Sequence, residues 1–236
     1  MKKLLAIFLV VSVLFSLASC GGNETESNKN NNDVVENDDN NQQNVGNSDN
    51  AGNKTELPAE LTVEFVRNYP ETDASLFKVE QVDGGVMVGP YIGNDEIVVI
   101  PEEIDGQPVV AVKRRAFLNN NNIRAVKLAD TVKVIGEESF LCCGKLEVFI
   151  CGRGLETIEE YAIGSCVLLK NLELNDGLKT IGQFSITKGS MEGLYIPSSV
   201  TEMHSSFGDD GLKIICEAGS VAEQHAIQNG YTYEIR

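Results

Sequence analysis

A segment of about 23 residues returns about five times between Ile97 and Leu212. A chain with that internal period can bury its apolar side chains only by stacking copies of one unit on the next. Val112, Ile135, Ile158 and Ile181 fall in one column, with Met203 following one residue short. Val109, Val132, Leu155 and Leu178 form a second column, Phe117, Phe140, Ile163 and Ile186 a third, and Ile123, Leu146, Leu169 and Met191 a fourth. A fifth is strand-like: Val98-x-Ile100, Val126-x-Leu128, Val148-x-Ile150, Leu172-x-Leu174 and Leu194-x-Ile196. Side chains alternate along a strand, so the outer two of each triplet are expected to point inward and the middle one outward. The columns predict coils that each deliver several apolar groups to one continuous core.

The segments flanking the repeats read as ends for such a stack. Pro58 to Tyr69 carries Leu61, Phe65, Val66 and Tyr69 near helical spacing, and Pro70 ends it. Leu76 to Val82 alternates apolar and polar residues, Asp83-Gly84-Gly85 signals a turn, and Val86-Met87-Val88 resumes, which predicts a hairpin over the exposed first coil. Near the other end, Ser220 with Glu223 makes a capping box, Gly230 stops the helix, and Tyr231 to Ile235 supplies a last strand.

Several motifs carry a family resemblance. Ile100-Pro101, then Ile104-Asp105-Gly106-Gln107-Pro108-Val109-Val110-Ala111-Val112 and Ala116-Phe117, resembles the bacterial leucine-rich repeats of the BspA type. So does Val132-Lys133-Val134-Ile135-Gly136 with Ser139-Phe140, Cys143 and Leu146, and Gly219 to Ile235 is similar to the family's closing segment. The pattern weakens at Phe184-Ser185-Ile186-Thr187 and at Met203. The resemblance covers the chain from about Leu76 onward. It implies a right-handed leucine-rich-repeat solenoid of short β-strands and turns over residues 97–212, with a helix and hairpin cap at 58–96 and a helix-strand cap at 213–236. It also implies recognition or adhesion, with host or matrix proteins, glycans or other bacterial surface components as partners.

The amino terminus points outside the cytoplasm. Lys2 and Lys3 precede an apolar run, Leu4 to Leu17, shorter than the roughly 18–20 residues of a membrane span, which reads as a signal peptide over residues 1–20. Leu17-Ala18-Ser19-Cys20-Gly21 resembles the lipobox of bacterial lipoproteins, and the resemblance implies that Cys20 is acylated. Each buried CH₂ of an acyl chain contributes roughly 0.8 kcal/mol, so the chain is expected to stay lipid-anchored at the cell surface. Residues 21–57 are rich in Asn, Asp, Glu, Gln, Ser and Gly with no aromatic residue, and cannot bury enough apolar surface to offset ordering entropy. A flexible linker of this length reaches roughly 30–35 Å.

The net charge of −16 with one short basic cluster, Lys113-Arg114-Arg115, argues against nucleic acid as a partner. With Cys20 acylated, Cys142, Cys143, Cys151, Cys166 and Cys216 remain, an odd number. Cys143 and Cys166 share a repeat column, where buried thiols packed as small hydrophobes are expected in preference to a bridge. The adjacent Cys142-Cys143 lacks metal-ligand spacing, and His204 and His225 stand apart with no nucleophile motif, so no metal, cofactor or enzymatic activity is expected. What remains is surface. The outward strand positions read Val99, Lys127, Phe149, Glu173 and Tyr195, and exposed aromatics among polar groups are contact anchors. Lys127, Phe149, Glu173 and Tyr195 are therefore the candidate binding residues of a monomeric adhesion module, unless the amino-terminal segment folds over the ladder. The alternative function is a structural or assembly module of the bacterial envelope. Replacing Cys20 by Ala is expected to abolish incorporation of radiolabelled fatty acid and to release the chain from membranes; continued labelling would move the acylation elsewhere.

Overall fold

The computed structural model describes residues 57–204, 207 and 211–236, so the leader, Cys20 and nearly all of the linker lie outside the described residues. Short β-branched runs between Gly, Pro and Asn turns fold as strands. The chain opens with helix α1 (Val63–Arg67), a 3-10 turn (Ala74–Leu76) and the antiparallel hairpin of β1 (Phe77–Val82) and β2 (Gly85–Tyr91). Next come β3 (Ile97–Val99), β4 (Glu103–Ile104), β5 (Gln107–Val112), β6 (Ala125–Lys127), β7 (Val134–Ile135) and β8 (Val148–Ile150). The later coils supply β9 (Thr157–Ile158), β10 (Asn171–Glu173), β11 (Thr180–Ile181), β12 (Gly193–Tyr195) and β13 (Glu202–Met203). The chain closes with β14 (Lys213–Cys216), α2 (Val221–Asn229) and β15 (Tyr233–Ile235).

These strands stack as ladders. One sheet runs β1-β2-β5-β7-β9-β11-β13 with β4 folded antiparallel onto β5; a second runs β3-β6-β8-β10; a third is β12-β14-β15. Val112, Ile135, Ile158, Ile181 and Met203 pair in parallel register, so the first sequence column is a physical ladder despite the contraction before Met203. A third side of each coil is joined by backbone hydrogen bonds. Phe117 N donates to Ser139 O at 2.7 Å, Phe140 N to Ala162 O at 2.8 Å and Ile163 N to Ser185 O at 2.7 Å. Here the backbone is left-handed at Arg115, Glu138, Tyr161 and Phe184, with φ of 59, 55, 55 and 50°. Such a conformation costs a non-glycine residue about 1–2 kcal/mol. Its recurrence at the same position of successive coils, with a second series at Asn119, Cys142 and Ser165, marks it as part of the repeat, offset by inter-coil bonds such as Glu138 N to Glu160 O at 3.0 Å.

The core lies between the ladders. The four buried columns meet there, and Tyr91, Phe117, Phe140 and Phe149 form a chain of rings with successive centroids 5.2, 4.7 and 5.0 Å apart. Cys143 and Cys166 are buried in their column, and their Sγ atoms donate to Phe117 O at 3.2 Å and Phe140 O at 3.3 Å. All five cysteines among the described residues are free thiols. At the first coil β2 lies parallel on β5, with Val88 opposite Val112. At the far end Ser220 Oγ accepts from Glu223 N at 3.2 Å, the Glu223 carboxylate accepts from Gly219 N at 2.6 Å, and Gly230 leaves α2 at φ 70°. β15 then pairs parallel with β14.

One expected triplet is reversed. Phe149 pairs between Val126 and Leu172 and points into the core with none of its surface exposed, whereas Val148 and Ile150 face outward. Val148-Phe149-Ile150 is apolar throughout, so strand alternation alone cannot assign its faces. The repeat period can, because steps of about 23 residues from Val126 and back from Leu172 both land on Phe149.

Truncating Phe149 to Ala is expected to cost about 3–5 kcal/mol of stability, read from the urea midpoint at constant slope, while Lys127→Ala should cost under about 1 kcal/mol. Ion pairs between coils add a pH dependence. Hydrogen bonds and charge from Arg153, Arg115, Lys179 and Lys213 hold Asp130, Glu138, Glu156 and Glu234 below their ordinary values of 3.8 for Asp and 4.5 for Glu. Carboxylates depressed in the folded state stabilise it fully above the unfolded pKa and lose that contribution as pH falls through the folded value. Thermal melts should therefore be level with respect to these pairs above about pH 5 and drop below about pH 4, with a modest amplitude because the pairs are largely exposed.

Candidate functional site on the strand face

The outer face of the β3-β6-β8-β10 sheet carries Ile97, Val99, Ala125, Val148 and Ile150, an apolar stripe that the amino-terminal segment covers with Leu61 and Val66. Thr62 caps α1 by accepting from Phe65 N at 3.2 Å, which seats Val66 downward on the stripe. Polar contacts fix the segment at several points. Arg124 Nη2 donates to Ala59 O at 2.7 Å while its Nε donates to Glu147 at 2.7 Å, both side chains being largely buried. Lys170 pairs with Glu60 at 3.2 Å, and Thr72 joins the edge strand through Thr72 N to Val99 O and Val99 N to Thr72 Oγ1, each 2.9 Å.

This cover decides the fate of the four candidate residues. Lys127 faces outward, but its ammonium donates to Arg67 O at 2.9 Å. Phe149 is no surface anchor; it belongs to the core for the register reason given above. Glu173 sits at the edge of the cover, paired with Arg67 at 2.7 Å. Tyr195 remains half-buried on the outer face, its hydroxyl donating to Glu217 and its ring lying 4.9 Å from the Arg236 guanidinium. The hydrogen bond to Glu217, with partial burial, raises the Tyr195 phenol above its ordinary value and keeps it neutral as a donor.

Sequence reasoning missed a depression of about 400 Å³ where the cover ends. Arg67, Arg153, Glu173 and Asp176 supply its charged lining, and Ile150, Cys151 and Leu174 its less polar lining. Burial, reinforced by the Glu173 charge, raises the Cys151 thiol well above its ordinary value, so it stays protonated and unreactive. Asn175 Nδ2 donates to Arg153 O at 2.9 Å and Leu155 O at 3.0 Å, while its Oδ1 is buried with no partner. A signal for the cover did exist: Ile97-Val98-Val99 and Val148-Phe149-Ile150 are uninterrupted apolar triplets, the pattern of strands buried on both faces. Nothing comparable announces the depression, whose lining comes from α1 and from the ends of β8 and β10 with the segments that follow them.

Among the described residues no group of three or more His, Cys, Asp or Glu side chains is placed to hold a metal ion, and no helix is long and apolar enough to cross a membrane. His204 follows β13, whereas His225 lies on α2 beside Phe207 and Tyr231.

Parallel ladders, one buried column per repeat position and a partly covered strand face define a leucine-rich-repeat solenoid. The model of the BspA type leucine rich repeat region matches residues 98–210 in 6 copies, one more than the columns count, and the chain belongs to that family. The leucine-rich repeat protein of Treponema pallidum is 31% identical, with a TM-score of 0.59 over 62% of this chain and 71% of its own. A leucine-rich repeat protein from Bacteroides ovatus is 25% identical, with a TM-score of 0.47 over 58% of this chain and 37% of its own. The pneumococcal vaccine antigen PcpA is 18% identical, with a TM-score of 0.50 over 67% of this chain and 47% of its own, a likeness of fold. No curated protein sequence matches the chain.

Burying a Val side chain stabilises by roughly 1.5–3 kcal/mol, so Val66→Asp is expected to unseat α1. Hydrogen exchange should then accelerate at residues 62–68 while the core strands stay protected; equal loss in both would make the segment integral to the solenoid.

Proposed function

We propose that the chain is a bacterial cell-surface recognition module, anchored through Cys20 and acting in adhesion by binding a protein or glycan through the uncovered end of its strand face. The observation that carries this reading is the position of Tyr195. It is half-buried, on the outward face of β12, beyond the reach of the amino-terminal cover. Aromatic groups held by neighbours lose little entropy on contact and serve as anchors. Tyr195 is held by Glu217 and Arg236. The family match supports a repeat scaffold built to present surface, and the signal-like leader supports display outside the cytoplasm.

The test uses residues 55–236, which form a compact unit of their own. Saturable binding to foreign cells, matrix proteins or glycans is expected, and Tyr195→Ala should weaken it at least about tenfold with the melting temperature little changed. Binding restricted to envelope proteins of the producing cell would replace adhesion by envelope assembly. Undiminished binding by the variant would remove Tyr195 from the contact.

A further inference from the structure

The chemistry of the depression beside α1 narrows what it can hold, and the inference rests on the recognition reading above. Both guanidinium groups are already neutralised: Arg67 by Glu173 at 2.7 Å, and Arg153 by Asp130. The exposed Asp176 carboxylate makes no ion pair among the described residues, and Asn175 Oδ1 is buried without a partner. An anionic ligand would meet paired guanidiniums and an unpaired carboxylate. A cationic ligand would find a single uncommitted carboxylate, Asp176, because Glu173 and Asp130 are already engaged by the guanidiniums. What the site offers uncommitted at its surface is the Asp176 carboxylate, beside the apolar carbons of Ile150 and Leu174.

That combination suits a neutral polyhydroxylated ring. Its vicinal hydroxyls can donate to the two oxygens of one carboxylate, its ring oxygen and remaining hydroxyls can accept from unused guanidinium N–H groups, and its C–H face can rest on aliphatic lining. The volume of about 400 Å³ falls within the range of about 300–1,000 Å³ usual for small-ligand sites. We propose that this depression is a subsite for a neutral sugar residue of a glycan, with Asp176 as its principal acceptor. Arg67 comes from α1 and the other lining residues from the coils, so the subsite is complete only while the amino-terminal segment is seated.

The test presents the full chain with a panel of neutral hexose and N-acetylhexosamine oligosaccharides, alongside sialylated and sulfated ones. Neutral sugars are expected to bind saturably and in preference to the acidic ones. Asp176→Ala, in an exposed turn, should weaken that binding at least about tenfold, and Asp176→Asn, which keeps one acceptor, by less. Neutral binding unchanged in Asp176→Ala, or a preference for acidic sugars, would overturn the subsite. A chain that binds protein targets but no neutral sugar would overturn the subsite while leaving recognition intact, whereas a chain that binds nothing foreign would overturn both.

Discussion

Parallel backbone pairing between successive coils is the constraint from which the rest of the molecule follows. From β6 to β13 each strand has only two or three residues, too few to stand alone, and gains stability only when the next coil completes its hydrogen bonds. The spacing between coils is thereby fixed, and with it the requirement that equivalent positions carry side chains that stack. The left-handed residues Arg115, Glu138, Tyr161 and Phe184 show how far this dominates local preference. An Arg, a Glu and a Tyr accept the same unfavourable backbone region because the neighbouring coil's carbonyl lies where their amide can reach it, at Glu137, Glu160 and Gln183.

A stack built this way has two unfinished ends and two faces per sheet, and the structure treats each differently. The antiparallel hairpin lies against the first coil, and α2 with β15 follows the last. The second sheet is covered outside by α1 over the coils where its outward side chains are apolar, and the cover ends at Glu173, short of Tyr195 on β12 of the third sheet. The outward residues themselves thus set the limit of the cover. Arg124, largely buried between Glu147 and the carbonyls of Pro58 and Ala59, binds the cover to the ladder with charge-assisted hydrogen bonds.

The legibility of these features differs for physical reasons. Columns one to four were readable because burial in a repeat is periodic: every Val132 or Leu155 answers to a residue one coil away. The hairpin and the α2 capping box were readable because turns and caps are local chemistry. Phe149 is not assignable by alternation because three consecutive apolar residues erase the period-two signal, and only the longer repeat places it on the inner face. The depression was not readable at all. Arg67 and Asp176 come together only through the docking of α1, a contact without periodicity in sequence.

The docked segment also gives the molecule a mechanical polarity. A pull applied to the chain before Leu57 reaches the solenoid through the contacts of residues 58–72, which lie across the strands rather than at the end of the stack. The pairs Arg67–Glu173 and Lys170–Glu60 resist it by sliding, together with the apolar seat of Leu61 and Val66. Contacts arranged that way yield collectively, so traction is spread over several coils before any one is peeled away. Arg67 is the one lining residue of the depression that lies on the docked segment, so such traction reaches the pocket through it.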